Sequence, residues 1–292
     1  MYYKSVRCDE KYLDRQSISI GHEKFTGWCG RLECELEVLT PLCIKIWEKG
    51  PPIRVQGSTI KGMVRSAAEI ISQSCFRIGS NPPPRFTACE SIEKACTCCR
   101  LFGGTFTEQS QDSQESSAFQ SKVFFEDTNN IPLNELKEET VHVSAQGCDY
   151  DWDGRRVFLH FKPQASGDKF FTVLTAPPGK ILKFGVDFEC LEDDELGLLL
   201  CSLVLEPYMA HKMGYMKSRG LGSVRIKITK LELTRNYSDA FLGYNFSIPA
   251  IEDISEIERC AREHIDQYLQ RKNLNESDHL QAFRELMKYK EE

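Results

Sequence analysis

Five cysteines, Cys75, Cys89, Cys96, Cys98 and Cys99, fall within 25 residues of this chain, and few backbone arrangements suit them. The intervening GSNPPPRFTACESIEKA is polar, proline-rich and poor in core formers, so it has little apolar surface of its own to fold around. Cys96-Thr97-Cys98-Cys99 contains a CxxC spacing, at which two thiolates of one turn take two corners of a tetrahedral zinc, and Cys75 and Cys89 are the natural third and fourth ligands. Four thiolates leave no open coordination position, so the zinc expected here is structural. Cys98 is the spare thiol, although the spacing also allows it in place of Cys96 or Cys99, and reduced thiols without metal are the alternative. The remaining cysteines (Cys8, Cys29, Cys34, Cys43, Cys148, Cys190, Cys201, Cys260) are scattered and read as small buried hydrophobes.

Disulfides are not expected, because MYYKSVRCDEKYLDRQ has no apolar stretch of signal-peptide length and no run reaches the roughly 18 apolar residues that span a bilayer. A cytosolic chain with no membrane partner follows as the expectation. Its 41% hydrophobic content supports a proper core, while a formal net charge of -6 argues against a uniformly basic nucleic-acid binder. Any nucleic-acid site must be local. One stretch fits: His211–Ser223, HKMGYMKSRGLGS, interleaves Gly214, Gly220 and Gly222 with Lys212, Lys217 and Arg219. Glycines allow close backbone approach and cations neutralise a phosphodiester chain, so this reads as an RNA-cradling loop. An ordinary helix-to-strand connection carrying glycines is the alternative.

The hydrophobic period alternates between sheet and helix. RLECELEV (residues 31–38) places Leu32, Cys34, Leu36 and Val38 on one face, the mark of a half-buried strand. From Ser58 the period turns helical, with Ile60, Met63, Val64, Ala67 and Ile71 as the apolar stripe. Lys61 and Arg65 share another face beside the bare N–H groups of that helix start, an arrangement that suits an anion; two solvated surface cations are the alternative. A second helix is expected over 193–206 and a strand over VRIKIT (residues 224–229). TVHVSAQGCDYDWDGRRVFLHFKP reads as two strand segments around an acidic turn, a candidate projecting hairpin. The tail carries two amphipathic helices, the first opened by a Ser255...Glu258 capping box. Packing back on the body is their default; a neighbouring subunit is the alternative.

Strand, helix, strands, helix, strand is the order of an α+β, ferredoxin-like (RRM-like) split βαβ core. We expect a domain over residues 1–250 with a zinc-knuckle insertion at 75–104 and a thumb-like insertion at about 128–170, followed by a helical extension at 251–292.

Four ordered pieces resemble the RAMP superfamily of CRISPR-associated proteins: VQGSTIKGMVRSAAE, the cysteine pair leading into CRLFGG, ELGLLLCSL, and HKMGYMKSRGLGSVRI. The resemblance is closest to the backbone subunits that polymerise along a guide RNA in type III and related (type III-D-like or type VII-like) effector complexes. It implies that Ser58, Lys61, Arg65, Lys217, Arg219, Gly220 and Gly222 contact the guide, and that a thumb drawn from about Thr140 to Phe170 interrupts the guide-target duplex. The implied partners are guide RNA (crRNA), complementary target RNA, further copies of the chain and other effector subunits, including a separate nuclease.

Target-cutting relatives carry an aspartate between the first strand and the glycine-serine motif, whereas LCIKIWEKGPPIRVQ offers only Glu48. A binding subunit without slicing activity is therefore expected, with Asp149, Asp151 or Asp153 as fallback carboxylates. The rival is an endoribonuclease of the same superfamily, a target slicer or a processor of guide precursors; the processor needs a base near a ribose 2'-hydroxyl, for which His22, His160 and His211 are the candidates. A zinc-stabilised interaction module that binds no nucleic acid is a third reading.

Overall fold

A computed structural model describes residues 3–16, 26–44, 53–76, 85–109, 114–143, 154–162, 169–235 and 248–290. In chain order its strands are β1 (Tyr3–Arg7), β2 (Arg15–Gln16), β3 (Trp28–Val38), β4 (Leu42–Cys43), β5 (Ala95–Cys96), β6 (Gly104–Gln109), β7 (Gln114–Phe119), β8 (Val123–Phe125), β9 (Lys137–Val143), β10 (Gly154–Phe158), β11 (Lys169–Ala176), β12 (Ile181–Leu191), β13 (His211–Lys212), β14 (Ser223–Thr234) and β15 (Ala250–Ile251). The α-helices are α1 (Gly57–Ile71), α2 (Thr97–Phe102), α3 (Asp193–Leu203), α4 (Ile254–Arg271) and α5 (Asp278–Leu286). None of the described helices is long and apolar enough to cross a membrane.

The main sheet runs β13-β14-β3-β12-β8, antiparallel throughout, with β15 on β14. Its register explains its two faces. Leu36 of β3 lies between Ile226 of β14 and Leu182 of β12, and Cys34 lies between Ile228 and Phe184. All six are buried in the main core. On the opposite face Glu35 meets Lys183 at 3.5 Å and Glu37 meets Arg225 at 3.8 Å. Such cross-strand charge pairs suit a water-facing surface. The apolar stripe of α1 is buried as expected, α1 packs on α3, and the core elements follow one another as β3, α1, β8, β12, α3, β14.

The segment read as a projecting hairpin is arranged differently. TVHV lies in β9 and pairs with β11, Val141 opposite Phe171, whereas GRRVF forms β10 and pairs with β1, Val157 opposite Lys4. The reason is burial: β10 turns Arg155 and Val157 inward, and β1 contributes Val6 to the same core. Glu48, His22, Asp149, Asp151 and Asp153 lie outside the described residues, as do 144–153 and 163–168 of the thumb-like stretch.

The tail packs back on the body, α4 against α3 and α5 against α1. The cap of α4 is Asp253, whose side chain accepts from the Glu256 N–H at 2.9 Å, rather than Ser255. Asp253 is ionised and reaches the first turn, so it takes the capping role two residues earlier.

Candidate nucleic-acid groove and metal centre

The end of α1 begins the thiol centre. Ser72 and Gln73 close the helix, Gln73 in the left-handed region at φ 49°, and this turn carries Cys75 back toward β5 and α2. Cys75, Cys89, Cys96 and Cys99 are all buried, with every sulfur within 4.8 Å of the others. Cys75 Sγ lies 3.6 Å from Cys99 Sγ and 3.7 Å from Cys96 Sγ. Bonds of about 2.3 Å to a tetrahedral zinc would set such sulfurs about 3.8 Å apart. The Cys96 N–H donates to Cys89 Sγ at 3.2 Å, an outer contact of the kind that orients a metal ligand. The cluster is the group of four expected from the sequence, and it could hold a metal ion.

Cys98 points away, its sulfur 3.5 Å from Ser72 Oγ. Within the cluster, hydrogen bonds from Cys75, Cys89 and Cys99 pull the Cys96 thiol well below its ordinary range, while the same mutual bonding pushes Cys75 and Cys99 up. The Cys89 thiol is lowered as well, chiefly by its hydrogen bond with Cys75, so the four thiols divide into two that favour the charged form and two that resist it. A bound cation would remove that conflict by stabilising several thiolates together.

A groove of about 330 Å³ opens where three distant segments meet. The first turns of α1 contribute Ser58, Thr59, Gly62 and Ser66; β10 contributes Arg156 and Phe158; the glycine loop contributes Lys212, Gly214 and Lys217; and α5 contributes Phe283, with Met287 just after it. Lys217 Nζ lies 5.1 Å from the centre of the Phe158 ring, and the Arg156 guanidinium lies 4.4 Å from that of Tyr3.

The loop's shape is internal in origin. Gly222 has φ +75°, and an added Cβ would lie 1.9 Å from the Met213 carbonyl oxygen. Close approach of chain to chain, rather than of ligand to chain, demands this glycine. Lys212 serves the same end: its Nζ donates to the carbonyls of Gly220 at 3.0 Å and Leu221 at 2.9 Å. Burial, with the neighbouring Lys217 charge, lowers its pKa to about 7.

Of the expected guide-contacting residues, Ser58 and Lys217 line the groove, while Gly220 (φ +94°) and Gly222 shape its loop. Lys61 is half-buried on α1, its pKa lowered by burial and by Arg65, and is not among the lining residues. Arg65 turns toward the body, pairing with Glu69 at 2.9 Å and donating to the Gly103 carbonyl at 3.4 Å. Arg219 sits half-buried in the short turn Lys217–Arg219 beside the groove. The helix start is less bare than expected, since the Gly57 N–H donates to Asp127 Oδ1 at 2.8 Å. Arg156 and Phe158 were not singled out from the sequence; Phe283 and Met287 were legible there only as part of the apolar stripe of the last helix, not as a wall of the groove.

Two candidate bases proved to be internal struts. His160 uses both ring nitrogens, one with Ser223 Oγ at 2.9 Å and one with the Ala210 carbonyl at 3.0 Å, and burial lowers its pKa to about 3. His211 is buried, donates from Nε2 to the Leu203 carbonyl at 3.1 Å, and has its pKa lowered by burial to about 4. Both shifts make the native state the poorer proton binder. Their contribution to stability is full above the unfolded value of 6.5 and is lost as pH falls from there toward the folded values. Each should cost about 2 kcal/mol by pH 5. Urea unfolding from pH 7 to pH 5 is expected to show this loss, and His160→Gln should reduce its slope; a flat profile would contradict the assignment.

The profile of the RAMP superfamily matches residues 35–225. No curated protein matches the chain. Among solved structures, Csc2 of Thermofilum pendens is similar at 12% identity and a TM-score of 0.41, over 93% of this chain and 90% of that one.

Proposed function

The chain belongs to the RAMP superfamily, and from that premise we propose that it is a backbone subunit of a CRISPR ribonucleoprotein effector complex, gripping the guide RNA backbone and presenting it to complementary target RNA. The observation that carries this reading is the groove, because Arg156 and Lys217 converge there with the hydroxyls of Ser58, Thr59 and Ser66 on a chain of net charge -6. Cations gathered in one place on an acidic protein suit a polyanion held at one place. Lys61, Arg65 and Arg219 flank this site, and copies of the chain would lie side by side along the guide.

The strand order β14-β3-β12-β8, with α1 and α3 as the crossing helices, supports a ferredoxin-like split βαβ core. The sulfur spacing supports structural zinc. Target cutting falls to a separate nuclease in this reading, since the Leu42–Gln56 interval supplies only Glu48. The geometry of His160 and His211 does not favour the guide-processing alternative, which needs an accessible base.

The test is a salt titration of binding to single-stranded guide-length RNA. Arg156→Ala with Lys217→Ala should weaken binding roughly tenfold near 0.1 M salt, almost independently of sequence, and make the salt slope shallower by about two. An unchanged affinity and slope in the folded double variant would remove the groove from the RNA site.

A further inference from the structure

Cys29 and Cys190, 161 residues apart in sequence, meet where the start of β3 and the end of β12 leave regular pairing. Gly30 pairs with Phe188 and Trp28 with Leu191, so Cys29 faces both Glu189 and Cys190, and the extra residue makes a β-bulge. The bulge is shaped at Cys190, whose φ of +56° is left-handed, a conformation uncommon for residues other than glycine. It brings Cys190 onto its neighbour. The Cys190 N–H donates to Cys29 Sγ at 3.3 Å, and the Cys190 thiol donates to the same sulfur. Glycine would hold this φ without strain, so the backbone gives no reason for a second thiol here.

Both are free thiols, Cys29 2% exposed and Cys190 0%. They differ in reach. Cys29 lines a cavity of about 330 Å³ on the charged face of the sheet, with Arg31, Asp187, Glu189 and Glu232, and Cys190 lies behind it. Such a cavity admits a small polar molecule. The two hydrogen bonds from Cys190 favour the Cys29 thiolate, while burial and the Glu189 carboxylate oppose it and leave the thiol above its ordinary range. Burial, with the Cys29 sulfur and Glu189, pushes the Cys190 thiol up to about 11, against the smaller opposing effect of Lys122. Both are therefore protonated near neutral pH, and their reactivity increases as pH rises, since the thiolate is the nucleophile.

We propose that Cys29 and Cys190 are a redox pair, which hydrogen peroxide converts to a disulfide that clasps the start of β3 to the end of β12. The Cys29 thiolate attacks one peroxide oxygen, the O–O bond breaks, and the departing hydroxide takes up the proton that Cys29 gave up, leaving as water. Cys29 is then a sulfenic acid. The Cys190 sulfur attacks the Cys29 sulfur, the S–O bond breaks, and a second water leaves with the Cys190 proton. Two electrons pass from the sulfurs to the peroxide, which ends as two waters. The loop so closed is long, and a disulfide that closes a long loop takes much freedom from the unfolded chain.

The experiment treats the full chain, reduced and then freed of reductant, with hydrogen peroxide near pH 7 and near pH 9, and maps its peptides by mass without reduction. A peptide pair joined through Cys29 and Cys190 is expected, forming several-fold faster at the higher pH. Cys190→Gly, which suits the left-handed backbone, and Cys29→Ser should fold and form no such pair. Treated in parallel, they also report what oxidation of the other thiols does. Against that baseline the wild-type melting temperature should rise by about 5–15 °C, and dithiothreitol should return it. Peptides joining other cysteines in place of this pair, or a Cys29–Cys190 link that forms in urea but not in the folded protein, would overturn the redox pair. A link formed in the folded protein with no rise over the two variants would overturn the clasp.

Discussion

Cys99→Ser is expected to abolish stoichiometric metal binding and to lower the melting temperature of the metal-replete protein by about 6–12 °C, the effect of losing roughly 3 kcal/mol. The four sulfurs lie within 4.8 Å of one another inside the core, where the mutual hydrogen bonding of the apo cluster holds the Cys75 and Cys99 thiols protonated. Serine is a poorer ligand and leaves a hydroxyl facing three thiols. Elemental analysis would count and identify the metal, and thermal scans with and without chelator would measure its contribution. Chelator should bring wild type down to the level of the variant and leave the variant unmoved. Cys98→Ser is the control: its sulfur faces Ser72, so it should retain the metal. Metal retained by Cys99→Ser, or lost by Cys98→Ser, would redraw the ligand set.

Glu195→Ala should destabilise the fold by about 3–5 kcal/mol, because it strands buried cations without a counter-charge. Glu195 is 0% exposed, Lys122 1% and Arg100 2%. Lys122 Nζ lies 2.8 Å from one carboxylate oxygen and Arg100 Nε lies 3.9 Å from the other. The same carboxylate accepts from the Glu192 N–H at 3.0 Å, completing the capping box of α3. At roughly 2–4 °C per kcal/mol, the melting temperature should fall by about 6–20 °C. Adding Lys122→Met to Glu195→Ala should recover part of this by removing one of the two stranded cations. A Glu195→Ala protein melting within about 2 °C of wild type would show that the triad contributes little.

Features whose cause is local could be read from residues alone. The alternation of Leu32, Cys34, Leu36 and Val38 announced β3, the stripe from Ile60 to Ile71 announced α1, and the cysteine spacing pointed to the four thiols that meet. Features whose cause lies across the fold could not. Arg65 has Lys61 and Glu69 as helical neighbours in any helix, but its orientation is set by Gly103, which is 38 residues away in sequence. Likewise β10 pairs with β1 instead of closing a hairpin, since Val157 and Arg155 find their burial against α1 and β1 rather than within their own segment. The N–H groups at the start of α1 were legible, but Asp127, which occupies one of them, arrives from 70 residues further on. Lys122 and Glu195 are surface-type residues by composition, and only the fold brings the residue before β8 to the first turn of α3.

The groove's walls have a kinetic consequence. Ser58 lies in the first turn of α1, Lys217 hangs from a loop pinned to the turn between β3 and β4 through the Gly222 N–H and the Pro41 carbonyl, and Met287 follows α5. The contacts that shape the site thus join some of the most distant parts of the chain, which close late in folding because each must overcome the entropy of a long loop. A partly folded chain has the cations but not the site. Ligand that binds only the assembled groove therefore acts as a thermodynamic clamp on the complete native state, raising its melting temperature with ligand concentration, and heat stability becomes a readout of occupancy that needs no label.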